Sequence, residues 1–134
     1  MRLSTRGRYG LAAMIYLGKK YGQSPVNLNE ISKATGLSNN YLEQLIRELK
    51  KHDLIISVRG VQGGYLLNKS PNEISVAEIL DCLEEFLGTT ECSVVPGLCS
   101  REKTCPSRII WTKMHDEMLK SIENISLKEL IDKK

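Results

Sequence analysis

Between Leu28 and Leu49 the chain carries two amphipathic segments separated by almost nothing, and few folds accept such a pair. Leu28, Ile31 and Ala34 fall on one face of a short helix predicted over 28–35. Asn27 stands where a cap is needed, and Glu30 follows three residues later, as in a capping box. Gly36-Leu37 is a tight connection, after which Ser38 can cap a third helix over about 39–52. Leu42, Leu45, Ile46 and Leu49 give that helix the i, i+3, i+4, i+7 apolar face of a core element. Its opposite face carries Asn39, Asn40, Glu43, Gln44 and Arg47.

The period changes immediately afterwards. Leu54-Ile55-Ile56-Ser57-Val58 is rich in β-formers, Arg59–Gly64 is a glycine-rich turn, and Tyr65-Leu66-Leu67 returns. A helix, a glycine turn, a second amphipathic helix and then a hairpin is the order of a winged helix-turn-helix. A further helix is predicted over 8–21, before this unit. After it come a Ser75-capped helix over about 76–87, a loop over 88–106 and a long helix over about 107–124. Ser126-Leu127-Lys128-Glu129-Leu130 begins a short tail helix. Trp111, Met114, Met118, Ile122 and Ile125 form a stripe along the long helix that the rest of the chain is expected to leave uncovered. The stripe is read as the seam of a homodimer. The expected fold is therefore mainly α with a small β-hairpin wing, a winged helix-turn-helix plus a long C-terminal dimerisation helix. Residues 1–74 are assigned to the DNA-binding unit and 75–134 to a helical dimerisation region containing the 88–106 loop.

The polar face of the third helix suits base edges in a major groove. Asn and Gln match adenine, Glu accepts from the cytosine amino group, and Arg matches guanine or phosphate. Arg59, among the wing glycines, suits a narrow minor groove. Candidate contacts to a double-stranded DNA operator are Arg2, Ser38, Asn39, Asn40, Tyr41, Glu43, Gln44 and Arg47, with Arg59, Gly60, Gly63 and Gly64 of the wing. Net charge is only +3, but its distribution is uneven. Arg2, Arg6, Arg8, Lys19 and Lys20 crowd an acid-free start, Arg47, Lys50, Lys51 and Arg59 form a second cluster, and acids gather over 78–91. A solvated helix face and an ordinary turn are the plain alternatives for each piece alone; their order and short connections favour the DNA reading.

Other classes are disfavoured. No apolar run approaches the ~20 residues needed to span a bilayer, and no apolar signal-peptide core follows the basic start, so a cytoplasmic location is expected. With two histidines and no Ser/His/Asp arrangement, no catalytic set is apparent, and the expectation is a protein that is not an enzyme. Gly60–Gly64 leads into a strand rather than a helix, unlike a nucleotide-binding loop.

Cys92, Cys99 and Cys105 lie in a glycine- and proline-containing loop with six and five residues between them. Thiolates at such spacing suit a zinc ion or an iron–sulfur cluster, although the pattern is not that of a CxxC zinc ribbon. Three free thiols or a redox-sensing disulfide are the alternatives. Three thiolates also leave one ligand missing, for which Glu102, Ser107, His115 or an exogenous thiol or water are candidates. Cys82, within an apolar helix, reads as a small core residue.

Residues 1–9, the run Ser38-Asn39-Asn40-Tyr41-Leu42-Glu43-Gln44, Val58-Arg59-Gly60, Gly63-Gly64-Tyr65-Leu66-Leu67, and the three-cysteine loop followed by Trp111 resemble the Rrf-type winged-helix transcription regulators. The resemblance runs over essentially the whole chain and is nearest to the branch that governs iron–sulfur cluster biogenesis. It implies a homodimer with crossing long helices, base reading by Asn40, Glu43 and Gln44, and Arg59 in the minor groove. It also implies an iron–sulfur cluster on Cys92, Cys99 and Cys105, [2Fe–2S] in preference to [4Fe–4S], in a regulator expected to act as a repressor. Sensing of nitric oxide or of cysteine and thiol redox status on the same fold is the alternative, with a cluster-binding electron carrier behind it. Three departures stand out. The family branch has five residues between its first two cysteines rather than six. It carries a histidine where this chain has Arg108. The nitric-oxide branch uses an aspartate where this chain has Arg8.

Overall fold

The computed structural model describes residues 3–84, 87–88 and 90–132. Six helices and one hairpin follow in the order α1 (Thr5–Lys19), α2 (Leu28–Thr35), α3 (Asn39–Lys51), β1 (Ile55–Val58), β2 (Gly64–Leu67), α4 (Val76–Leu83), α5 (Arg108–Glu123) and α6 (Leu127–Ile131). The expected mainly helical architecture with one hairpin is what the chain adopts.

Local chemistry sets most of the boundaries. Ser38 Oγ accepts the Tyr41 N–H at 3.2 Å and starts α3. Ser75 and Glu78 form a reciprocal capping box that starts α4. The expected box at α2 is only half made. Asn27 Oδ1 accepts the Glu30 N–H at 2.8 Å, but the Glu30 carboxylate instead takes the Tyr16 hydroxyl at 2.7 Å, tying α2 to α1. Gly36, at φ +76°, closes α2 in the left-handed conformation that glycine tolerates best.

Two helices differ from expectation. α1 begins at Thr5, three residues early, because Ser4 caps it by accepting the Gly7 N–H. α4 stops at Leu83 rather than near 87. Glu84 is extended there, and its carboxylate accepts the Ser4 N–H at 3.1 Å, so a tertiary bond draws the chain off the helical path. The Gly10 face of α1 lies flush against Leu83, which would collide with any side chain at that position.

The core forms where these helices meet. Met14, Leu17, Ile31, Leu42, Leu45, Ile46, Leu49, Ile55, Ile74, Ile79 and Leu83 are buried together, with Leu127 of α6 among them. The hairpin pairs Ile55 with Leu67 and Val58 with Gly64, antiparallel. It is anchored at its base by a two-way bridge to the α1–α2 connection. The Val26 N–H donates to the Tyr65 carbonyl at 3.0 Å, and the Tyr65 N–H donates to the Val26 carbonyl at 2.8 Å.

The apolar stripe of α5 divides in two. Met118, Ile122 and Ile125 pack with Leu119 against Val76, Leu80 and Leu87, so three of the five stripe residues expected to lie bare are covered within the chain, because α5 folds back onto α4. Toward the start of α5, Ile109, Ile110 and Met114 remain exposed, Ile109 at 74%. The tail then doubles back, the Leu127 N–H donating to the Ile74 carbonyl and the Val76 N–H to the Ile125 carbonyl.

Candidate functional site

Packing Leu42, Leu45, Ile46 and Leu49 into the core fixes which face of α3 is free. Asn40, Glu43, Gln44 and Arg47 are all exposed on that face, with Lys50 and Lys51 continuing it. Other predicted residues are committed to holding the helix. Ser38 is the cap, and the Asn39 side-chain amide donates to Asn29 Oδ1 at 2.7 Å, linking the starts of α3 and α2. Tyr41 is half-buried, edge-on to Tyr9 with ring centroids 6.1 Å apart, and its hydroxyl lies 3.5 Å from Thr5 Oγ1. It braces α3 against the start of α1. Arg2 lies outside the described residues.

The wing projects beside this face. Arg59 is exposed, Gly60 has φ +115°, and the Gly63 N–H closes the tip onto the Gly60 carbonyl at 3.0 Å. Val61 protrudes fully at the apex. Gly64 permits the base of the wing to touch the Val26 backbone. Between α3 and the hairpin, Glu43, Arg47, Lys50, Lys51 and Tyr65 line an open cavity of about 410 Å³. Lys50 Nζ donates across this junction to Ser57 Oγ at 2.9 Å. On the other side of Arg47, a second cavity of about 330 Å³ also takes in Arg6, Tyr41, Gln44 and Glu48. Arg6, Arg47, Lys50 and Lys51 therefore flank the exposed polar face of α3 with positive charge, an arrangement suited to phosphate contacts. Lys50 and Arg6 were visible in the sequence as members of basic clusters, but only the fold brings them to one surface.

Cys92 sits half-buried in a 3-10 turn, Glu91–Ser93, with Sγ 3.2 Å from Thr90 Oγ1. Cys99 is exposed and Cys105 half-buried, and all four cysteines are free thiols. Among the described residues no three His, Cys, Asp or Glu side chains gather closely enough to hold a metal ion. The segment is nonetheless organised. Glu102 accepts the Gly97 N–H at 2.9 Å and pairs with Arg108 of α5 at 3.0 Å, pinning the loop to the start of that helix. Arg108 thus has a structural use.

His115 lies on α5 beneath this segment. Its Nδ1 is buried and finds no hydrogen-bond partner among the described residues. Cys82 is separate from the other thiols. It is buried between α4 and the end of α3, where Sγ donates to the Glu48 carbonyl at 3.3 Å and lies 3.2 Å from His52 Nδ1. Burial, reinforced by the charges of Glu48 and Asp81, pushes this thiol up to about 11. Cys82 is a protonated core residue at neutral pH. Among the described residues no helix is long and apolar enough to cross a membrane.

The profile of the Rrf2 family, iron-dependent transcriptional regulators, matches residues 3–133. The HTH-type transcriptional regulator IscR of Pectobacterium carotovorum is 39% identical over 134 residues, covering 100% of this chain and 81% of that protein. The same regulator of Escherichia coli O1:K1 is 37% identical over 132 residues, covering 98% and 81%. Among solved structures, CymR, the global cysteine regulator of B. subtilis, superposes with a TM-score of 0.79 at 34% identity, over 98% of this chain and 96% of that one. T. potens IscR superposes with a TM-score of 0.79 at 34% identity, over 98% and 86%.

Proposed function

Since the chain belongs to the Rrf2 family of iron-dependent transcriptional regulators and is a DNA-binding regulator, we propose that it is a homodimeric repressor reporting iron–sulfur cluster status through Cys92, Cys99 and Cys105. The observation that carries this reading is the seat of the cysteine segment. It packs on α5, directly beside the exposed Ile109, Ile110 and Met114.

In chemistry the donors fit an iron–sulfur cluster. Three free thiols lie on one glycine- and proline-containing segment, Gly97 turns it at φ +77°, and an orphaned buried imidazole nitrogen lies beneath it. In position the thiols stand apart, so loading requires the segment to close. Cys92, Cys99 and Cys105 would hold a [2Fe–2S] cluster in preference to [4Fe–4S]. Such a cluster supplies a site that oxidants or nitric oxide can reach and dismantle. Ile109, Ile110 and Met114 form the centre of the homodimer seam, which places two α3 helices on successive major-groove turns about 34 Å apart.

Asn40, Glu43 and Gln44 read bases, Arg59 enters the minor groove, and Arg6, Arg47, Lys50 and Lys51 neutralise phosphates. Cys92, Cys99 and Cys105 would hold the cluster, and Arg108 and Glu102 would tie their segment to α5. Because α5 packs through Met118, Leu119 and Ile122 on α4, and α4 packs on α3, a rearrangement of that segment would bear on how the two reading helices are set. Loading shifts DNA affinity only by as much as it distinguishes the two dimer geometries.

The test is anaerobic purification followed by absorption and Mössbauer spectroscopy, with DNA binding measured across a salt series. The expected result is a [2Fe–2S] signature lost on replacing any of Cys92, Cys99 or Cys105, and operator affinity that falls steeply with salt. A [4Fe–4S] signature would move the reading to nitric-oxide sensing. Protein that stays colourless after anaerobic reconstitution would remove the cluster and leave thiol redox or cysteine status as the signal. A flat salt response would refute phosphate-mediated DNA binding.

A further inference from the structure

We infer that the cavity between α3 and the wing is a seat for one DNA backbone phosphate, held by Arg47, Lys50 and the Tyr65 hydroxyl, a site that rests on the DNA reading above, with α3 in the major groove and Arg59 in the minor.

The shape of the duplex calls for such a seat. Adjacent major and minor grooves are separated by one sugar–phosphate strand, so a protein that enters both must straddle that strand. The gap available for it is the cavity of about 410 Å³ lined by Glu43, Arg47, Lys50, Lys51 and Tyr65. Phosphate contacts fix a protein's register on the duplex rather than its choice of bases. A phosphate seated here locks the wing and the reading helix into one register.

The lining suits a single anion. Arg47 and Lys50 make no ion pair among the described residues, whereas Lys51 is paired with Glu48 at 3.3 Å. Lys50 is also preset. Its Nζ donates to Ser57 Oγ at 2.9 Å, which uses one of the three ammonium donors and leaves two for a phosphate. Ser57 stands directly opposite Tyr65 in the hairpin, so the two share the face of the wing that meets α3. Tyr65 is in turn fixed by its two backbone hydrogen bonds to Val26, at 3.0 and 2.8 Å. Ser57 is therefore a positioning residue, acting on the phosphate through Lys50.

Glu43 is the one acid of the lining. It precedes Arg47 by one helical turn and Lys50 by two. Its carboxylate repels a phosphate from its own end, which leaves the seat at the end bounded by Lys50 and Tyr65.

The experiment uses the full chain and a duplex that it selects from randomised DNA. Single methylphosphonates, each removing one phosphate charge, are scanned along both strands. One phosphate in each half-site is expected to stand out, its neutralisation weakening binding about 10-fold or more. Tyr65→Phe keeps the ring and the backbone bonds to Val26; it should lower affinity about 10-fold with the salt dependence unchanged, because no charge is lost. Lys50→Gln should reduce the slope of log affinity against log salt by about 1. Ser57→Ala should weaken binding at the parent slope, and Ser57→Thr, which keeps the hydroxyl, should restore it. In Tyr65→Phe and Lys50→Gln the outstanding methylphosphonate should cost much less than in the parent. A scan in which no phosphate stands out, or a penalty undiminished in these two variants, would overturn the seat and leave DNA binding intact. Failure of the parent chain to select any duplex would overturn both.

Discussion

Replacing Gly64 with alanine tests whether the wing is a rigid extension of the core or an independent flap. The Cβ would collide with the Val26 carbonyl oxygen and lie 2.5 Å from the Val26 carbonyl carbon and 2.9 Å from the Asn27 nitrogen. All three are backbone atoms, so no side chain can swing aside. The strand must withdraw, and the two Val26–Tyr65 hydrogen bonds are the contacts it would break. Each contributes about 0.5–1.5 kcal/mol net, and crowding of this kind costs about 1–3 kcal/mol, so a loss of about 2–6 kcal/mol is expected. With a urea m-value of about 2 kcal/mol/M, the unfolding midpoint should fall by about 1–3 M, read by circular dichroism at one fixed protein concentration. Gly60→Ala is the control. It also introduces a side chain at positive φ, but nothing lies within 4 Å of it, so only local strain of about 1–2 kcal/mol is expected. Equal midpoints for Gly64→Ala and the parent protein would refute the rigid joint.

Arg59→Ala should lower operator affinity by about 1–3 kcal/mol, roughly 5- to 150-fold, and relax A·T preference beside the wing; unchanged affinity in a binding titration would sink the wing assignment. Glu43→Ala should change which bases are preferred more than it changes total affinity, and selection from randomised operators would return the parent motif if α3 did not read through this face. Cys82 should resist alkylation at pH 8 in the folded protein while Cys99 reacts, and equal rates would contradict its burial. Its folded-state pKa is raised from 9.0 to about 11, so its contribution to stability is full below about 9 and fades as pH rises through about 11; Cys82→Ala should lack that part of the alkaline loss in urea titrations.

Much of this was legible in the sequence because it is governed by neighbours along the chain. Ser38 and Ser75 cap the helices that follow them, Gly36 ends α2, and the apolar spacing of Leu42, Leu45, Ile46 and Leu49 fixes which face of α3 is buried. The exposed polar face follows as its complement. The hairpin was equally visible, since its glycines and β-formers act within a dozen residues. What went astray involved distant partners. Glu30 leaves its own capping box for Tyr16, and Glu84 breaks off α4 by reaching Ser4, eighty positions away.

The functional surfaces divide in the same way. Periodicity alone shows that α5 has an apolar stripe, but not that Met118, Ile122 and Ile125 are covered by Val76, Leu80 and Leu87 while Ile109, Ile110 and Met114 stay bare. The sequence offers His115 only as one histidine among several donors. Its distinction is a buried nitrogen without a partner, produced when Gly88, Ser93 and Val94 close over α5. The sequence by itself determined the helix-turn-helix, the wing and the chemical character of the three-thiol segment, because capping, turn geometry and amphipathic spacing act locally. Only the tertiary structure decided which cations share the polar face of α3, which apolar residues remain exposed and which polar atoms are stranded, because burial is a property of the packed chain.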